Sequence, residues 1–350
     1  MRIAVIDIAA VSGGAKSILI EFYQYLLDTK DKNEWFFFIG EPILEEAENI
    51  HVIVKSVVKK NWINRLKYDF FDAAEDMDTV QPDVILNFQN TCIRYRKSRQ
   101  YLYVHQSIPF QTTKRYSFLK RKERIYAVYQ YIIGSLIKRS IRNADGIFVQ
   151  TEWMREATKK YCCGSKAIVI YPEINIEKSD HEGQIAISYK DFFYPAAYMP
   201  YKNHDIIIKA VENLVTEGVT GFNVDFTIEP GESTITKPNQ INCVGTQPRS
   251  TILSWYRKKI MLFPSYIETF GMPLAEARML NGIVFAAKTP FACEILDEYP
   301  NAYFFDPFKP EELTSLMRRA ISGELHVHNE RISEVKEENS WSILIDTLKG

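Results

Sequence analysis

Cysteine is scarce in this 350-residue chain: Cys92, Cys162, Cys163, Cys243 and Cys293 are all there are, an odd number with no C-x-x-C spacing. Neither a disulfide framework nor a cysteine-based zinc site is suggested, and a reducing compartment fits better. Glycine and proline number 15 each, too few for a collagen-like or low-complexity chain. Long apolar runs are missing too. The longest, about residues 127–137, holds Gln130 and Ser135 and falls far short of the ~18–20 residues that span a bilayer. The opening run from Met1 to Ile6 is interrupted by Asp7 and followed by Gly13-Gly14, so it reads as a buried first strand rather than a signal peptide. No sign of charge dominates: 43 Lys plus Arg stand against 44 Asp plus Glu, a net charge of −1. That balance argues against a partner held by bulk charge, nucleic acid above all.

What is present is a soluble globular mixture, 46% hydrophobic and 25% charged, in a chain long enough for two domains. Short apolar runs rich in β-branched and aromatic residues alternate with helical patterns. Strands are expected at Arg2–Asp7, Trp35–Gly40, His51–Val57, Asp83–Phe88, Tyr101–His105, Gly146–Thr151 and Ala167–Tyr171. Helices are expected near 15–29, 61–79, 118–143 and 152–161. Strands that are apolar throughout, alternating with helices, predict a parallel sheet covered on both faces. The segment 173–188 is polar and reads as a linker. The alternation then restarts with strands at Phe192–Ala197, Asn223–Ile228, Gln240–Val244, Ile260–Pro264, Ile283–Ala287 and Ala302–Phe305. Helices fall near 203–216, 249–258, 273–280 and 311–322. The expected organisation is α/β: a first domain over 1–172, a second over 189–325, and a C-terminal helix over 326–350 able to pack back on the first. Ligands of such sheets bind beyond the carboxyl ends of the strands, which places a site in the cleft between the domains.

The most informative stretch runs from Phe263 to Ala277, F-P-S-Y-I-E-T-F-G-M-P-L-A-E-A. A buried strand leads into a loop and then a helix, with Pro273 suited to the first helical turn. Gly271 permits close backbone approach. The amides of Phe270 to Leu274 would point from a helix N-terminus, a setting that suits a diphosphate. Glu268 and Glu276 bracket the loop with seven residues between them, and carboxylates accept hydrogen bonds from sugar or ribose hydroxyls. An isolated pair of this kind would ordinarily be one solvated Glu and one favoured by the helix dipole; the whole string is what singles it out.

This string resembles the E-x7-E motif of the retaining GT-B glycosyltransferases of family 4, the glycosyl transferases group 1, and the two-domain pattern is similar to their paired Rossmann-like domains. The resemblance implies a GT-B fold and transfer of a sugar from a nucleotide donor with retained anomeric configuration. It implies no metal and no cofactor, the nucleotide sugar being a substrate. It places Glu268 by the donor sugar and diphosphate and Glu276 on the ribose. Thr269, Phe270, Gly271, Met272, Pro273 and Leu274 then belong to the donor-binding loop.

A second element, Phe193-Tyr194-Pro195-Ala196-Ala197-Tyr198-Met199-Pro200-Tyr201-Lys202-Asn203-His204, closes the first strand of the second domain. Lys202 is placed to neutralise a leaving diphosphate as a point charge, and the resemblance matches it to the family's phosphate-binding lysine. Many members carry a Gly-Arg pair where this chain has Ala196-Ala197; a subset reads Y-P-A…K-N-H as here. Gly13 and Gly14 form a glycine turn after the first strand. It lacks the G-x-G-x-x-G dinucleotide fingerprint, so NAD is not indicated; by resemblance the turn closes over donor and acceptor. His105 ends a buried strand in the first domain, where the family often has a histidine near the reacting sugar. Asp76-Met77-Asp78 matches a D-x-D metal motif only in letters, since it falls in a helical segment. His326 and His328 lack a third ligand nearby and read as surface loop.

Charge is unevenly spread. Residues 94–142 hold 13 basic residues and one acid, Glu123, a net +12 that leaves −13 for the rest. The segment is also aromatic, and such a face can hold anionic headgroups peripherally. No nucleic-acid recognition motif accompanies it. The expected function is a retaining glycosyltransferase using a UDP- or GDP-sugar and a glycan or lipid-linked acceptor for a bacterial surface polysaccharide. It is expected to be cytoplasmic, with peripheral contact at the inner face of the plasma membrane. Two other readings share the scaffold: a nucleotide-sugar epimerase, and a non-catalytic partner that binds nucleotide sugar.

Overall fold

The computed structural model describes residues 1–8, 13–59, 62–164, 166–174, 176, 187–231, 237–328 and 340–350. Two parallel sheets organise the chain. The first contains β1 (Arg2–Asp7), β2 (Glu34–Ile39), β3 (Ile50–Val54), β4 (Val84–Asn87), β5 (Arg99–Val104), β6 (Gly146–Val149) and β7 (Lys166–Val169), in the order β3-β2-β1-β4-β5-β6-β7. The second contains β8 (Asp191–Tyr194), β9 (Asn223–Phe226), β10 (Ile241–Cys243), β11 (Ile260–Phe263), β12 (Val284–Ala287) and β13 (Ala302–Phe305), in the order β10-β9-β8-β11-β12-β13. Ile3 pairs with both Trp35 and Val84, and Met261 with both Phe193 and Val284, so β1, β4, β8 and β11 sit mid-sheet. In each sheet the strand order reverses once, between β1 and β4 and between β8 and β11. Ligands of open α/β sheets bind outside the carboxyl ends at such switch points. The fold is GT-B.

Both faces of the first sheet are covered, as its continuous apolar strands require. On one face Phe22 of the helix Gly13–Thr29 packs with Trp35, Phe37, Phe88 and Tyr103. On the other, Ala4, Ile6, Phe36 and Phe38 meet Tyr68, Met77 and Val80. The C-terminal helix Ser340–Lys349 belongs to the first of these layers. Trp341 lies 5.0 Å from the Phe22 ring and stacks on Tyr103 at 6.1 Å, and its indole N–H donates to Glu21 at 2.9 Å. Of the expected tail helix over 326–350, residues 326–328 are not helical; residues 329–339 and most of the expected linker lie outside the described residues.

All thirteen expected strands are present, mostly one or two residues shorter at their ends. The helices depart further. The segment expected as one helix over 61–79 is Trp62–Lys67, a π-helical turn Tyr68–Asp72, and Ala73–Val80. The segment expected over 118–143 starts only at Arg124, and it too contains a π turn, Val128–Ile133. An added short helix, Pro290–Ile295, was hidden in an apolar stretch after β12.

Candidate active site

Between the sheets lies a cleft of about 1920 Å³. The second domain lines it with Met199, Tyr201, Arg249 and Ile267 to Pro273, the first with Gly14, Gln89 to Thr91 and His105 among others. The loop after β11 forms one lip. Its entry is fixed by Tyr194, whose hydroxyl meets Ser265 Oγ at 2.8 Å and donates to the Lys202 carbonyl at 2.9 Å. Asn203, in the left-handed region at φ 55°, donates to the carbonyls of Pro264 and Pro307. These bonds tie the end of β8 to the end of β11. As a result Lys202 and Glu268, 66 positions apart in sequence, meet at 2.6 Å, each with only 17% of its side chain exposed. The ammonium has three N–H donors, so the pair leaves donors for a second anionic oxygen.

Gly271 (φ 96°) turns the chain into the helix Met272–Met279. A side chain there would be strained by the positive φ and would stand 3.3 Å from Phe291 and 3.4 Å from Leu274. The loop expected to bind the donor is narrower than its sequence implies. Leu274 is fully buried, does not line the cleft, and its amide donates to the Gly271 carbonyl at 2.8 Å. Pro273 has no amide N–H at all. Neither Leu274 nor Pro273 therefore offers a ligand a main-chain donor. Thr269 lines the cleft, but its carbonyl faces the other domain, accepting from Thr151 Oγ1 at 2.9 Å and Trp153 Nε1 at 3.2 Å.

Glu276 is one layer deeper, 5% exposed and not itself on the cleft wall. Its Oε2 accepts from the Tyr256 hydroxyl at 3.0 Å, and its Oε1 pairs with Arg249 at 2.7 Å. Burial and the neighbouring carboxylate push the Tyr256 phenol well above its ordinary pKa, so it stays a donor. Arg249 lines the cleft and covers the carboxylate, and sequence reasoning missed it. An arginine after Pro248 at a helix start is an ordinary surface feature, and only packing of the helix Arg249–Tyr256 on Met272–Met279 brings it to Glu276. Ala196 is buried and Ala197 is exposed; neither can supply charge.

On the opposite wall, Gly14 has open space around it, while the residues just before Gly13 lie outside the described set. His105 follows β5 directly. Its amide donates to Asn90 Oδ1 at 2.8 Å, its ring stands edge-on to Tyr103, and its Nδ1 is buried without a partner. Burial lowers its pKa to about 4, so the imidazole is neutral near pH 7. Asp76 and Asp78 face different partners, Lys55 and Tyr68 for the first, Tyr95 and Lys97 for the second. His326 and His328 are exposed. Among the described residues, no three His, Cys, Asp or Glu side chains converge as metal ligands, and no helix is long and apolar enough to cross a membrane.

Residues 233–338 match the family model of the glycosyl transferases group 1. No curated protein matched the chain in sequence. Among solved structures, sucrose-phosphate synthase from Thermosynechococcus elongatus is similar over 92% of this chain and 90% of its own, at 12% identity and a TM-score of 0.66. The lipopolysaccharide outer core galactosyltransferase WaaB is similar over 100% and 95%, at 15% identity and a TM-score of 0.61. Anabaena HepE, solved in complex with UDP, is similar over 99% and 96%, at 15% identity and a TM-score of 0.60. At these identities the structural likeness establishes the fold. Together with the family match over part of the second domain, it supports a glycosyltransferase.

Proposed function

We propose that this protein is a retaining glycosyltransferase that moves a sugar from a UDP- or GDP-sugar to a lipid-linked glycan of a bacterial surface polysaccharide. The observation that carries the reading is the Lys202–Glu268 pair, 2.6 Å apart, in which Glu268 lines the cleft beside the N-terminus of Met272–Met279 and Lys202, not itself a lining residue, adjoins it. An ammonium and a helix N-terminus stabilise negative charge at the point where a departing nucleoside diphosphate develops it. In the proposed reaction the acceptor oxygen bonds to the anomeric carbon on the face the diphosphate leaves. The diphosphate departs with the bonding electron pair, and its leaving oxygen takes the acceptor proton. Glu268 positions the donor sugar, Glu276 holds the ribose once Arg249 gives way or shares the carboxylate, and neutral His105 contacts the sugar. No step draws on a metal.

Peripheral membrane contact at the cytoplasmic face belongs to the same proposal. Phe118, Leu119, Ile125, Tyr131 and Ile132 are exposed, with Leu119 at 89%. Lys120, Arg121, Lys122 and Arg124 stand exposed among them. Apolar side chains set among cations are what an anionic lipid interface binds.

The reading is tested by incubating the protein with a panel of UDP- and GDP-sugars, with and without membrane lipid extract, and following free nucleotide. Extract-dependent release is expected. Isomerised sugar without any acceptor would indicate an epimerase, and saturable binding without turnover a non-catalytic partner.

A further inference from the structure

Facing the donor lip is a polar cluster of which the reaction above uses only His105. It stands at the first sheet's switch point, where the chain leaves β4 beside β1. Asp69, 6% exposed, is its centre. Its carboxylate accepts from Arg65 Nε at 3.2 and 3.3 Å, from Gln89 Nε2 at 2.9 Å and from Thr91 Oγ1 at 3.3 Å. Asp69 lies in the π turn Tyr68–Asp72, and π turns concentrate at functional sites. Arg65, Asp69, Gln89, Asn90, Thr91 and His105 all line the cleft.

Three features indicate that the cluster is built for a ligand. Gln89 is 5% exposed, yet its Oε1 is buried with no partner. The Nδ1 of His105 is in the same condition. Arg65 has 16% of its side chain exposed, and among the described residues only its Nε is bonded. Buried polar atoms without partners are costly, and a cluster holding several invites a ligand that supplies them.

We propose that Arg65, Gln89 and Thr91, held in place by Asp69, form the recognition site for the hydroxyls of a neutral sugar unit on the acceptor. This rests on the glycosyltransferase reading and names the acceptor chemistry of the same cleft. A sugar hydroxyl both donates and accepts, so it can satisfy the guanidinium donors and the Gln89 oxygen together. Asp69 cancels the charge of Arg65. A phosphorylated headgroup would therefore find no uncompensated cation in the cluster.

The test uses the full chain, with UDP and GDP binding measured first by calorimetry. Saturation-transfer NMR then follows methyl glucoside, methyl galactoside and methyl mannoside in the presence of the nucleotide that binds, with glucose 6-phosphate as the charged control. At least one methyl glycoside should receive saturation. Thr91→Val and Arg65→Lys should each weaken its affinity roughly threefold to tenfold, the value of one hydrogen bond. Nucleotide affinity, which also reports folding, should stay within about twofold. If neither nucleotide binds, the glycosyltransferase reading fails and takes this inference with it. If nucleotide binds but no glycoside does, or both variants bind glycoside like wild type, the acceptor site alone is overturned. Tighter binding of glucose 6-phosphate than of every methyl glycoside overturns its neutral character.

Discussion

At the scale of single residues, the proposed chemistry turns on Lys202 and Glu268. Lys202→Ala should lower kcat by roughly 10²- to 10³-fold, the usual cost of removing one donor aimed at developing charge. Glu268→Ala should abolish transfer while the far-ultraviolet circular dichroism stays unchanged; full activity would remove Glu268 from the site. Two buried histidines contribute to the pH dependence of stability. His204 is 2% exposed, enclosed by the rings of Tyr194, Tyr198 and Phe226, and burial lowers its pKa to about 4. His105 is lowered likewise, to about 4. In the unfolded chain both titrate near ~6.5. Between those values the unfolded chain binds protons that the folded one refuses, so this contribution is complete above pH ~6.5 and is lost as pH falls toward 4. The urea midpoint should therefore fall between pH 7 and pH 5, and less steeply in His204→Phe, which keeps a ring in the aromatic cage but cannot titrate.

At the scale of elements, the joint between the domains rests on a cap supplied from across the cleft. Glu294, in Pro290–Ile295, accepts the amides of Glu152 at 2.7 Å and Trp153 at 2.8 Å, at the start of the first-domain helix Glu152–Lys159. Burial raises its pKa, against the pull of those two bonds. Glu294→Ala should lower stability by about 1–2 kcal/mol, as loss of an N-cap does. Because Thr269 is held by the adjacent Thr151 and Trp153, it should also raise KM for the donor. A differential scan and a donor titration check the two effects. Gly134 explains itself by space rather than by φ. A methyl there would stand 2.8 Å from Pro109 Cβ and 3.1 Å from the Tyr129 carbonyl, just past the second π turn. Gly134→Ala should cost about 1–3 kcal/mol by overpacking, measured as a lower urea midpoint. Neither the cap nor the close contact was legible beforehand, because each joins segments whose separation in the chain says nothing about their distance. The π turns were equally hidden: 61–79 and 118–143 have the apolar spacing of helices, and one extra residue per turn leaves that spacing nearly unaltered.

At the scale of the whole molecule, charge and exposed apolar surface coincide on one side of the first domain. The chain should sediment with vesicles containing ~30% phosphatidylglycerol and not with phosphatidylcholine alone, with binding falling as salt rises. Leu119→Glu should weaken that binding severalfold without altering nucleotide affinity, since the residue is 89% exposed and makes no core contact. Equal binding to both kinds of vesicle would refute the membrane contact.

The residue order alone determined the strands and their parallel arrangement in two sheets, and it singled out Lys202, Glu268 and Glu276 as candidates. These follow from apolar runs, helical spacing and one unusual string, all properties of neighbouring residues. Only the tertiary structure decided which groups meet. Lys202 finds Glu268 because β8 and β11 are adjacent in the sheet. Arg249 shields Glu276, Leu274 withdraws from the donor loop into the core, and Asp69 draws Arg65, Gln89 and Thr91 to the facing wall. The physical reason is the same in each case. A local pattern sets which way a side chain points from its own strand or helix, whereas its partner is set by the packing of elements far away along the chain.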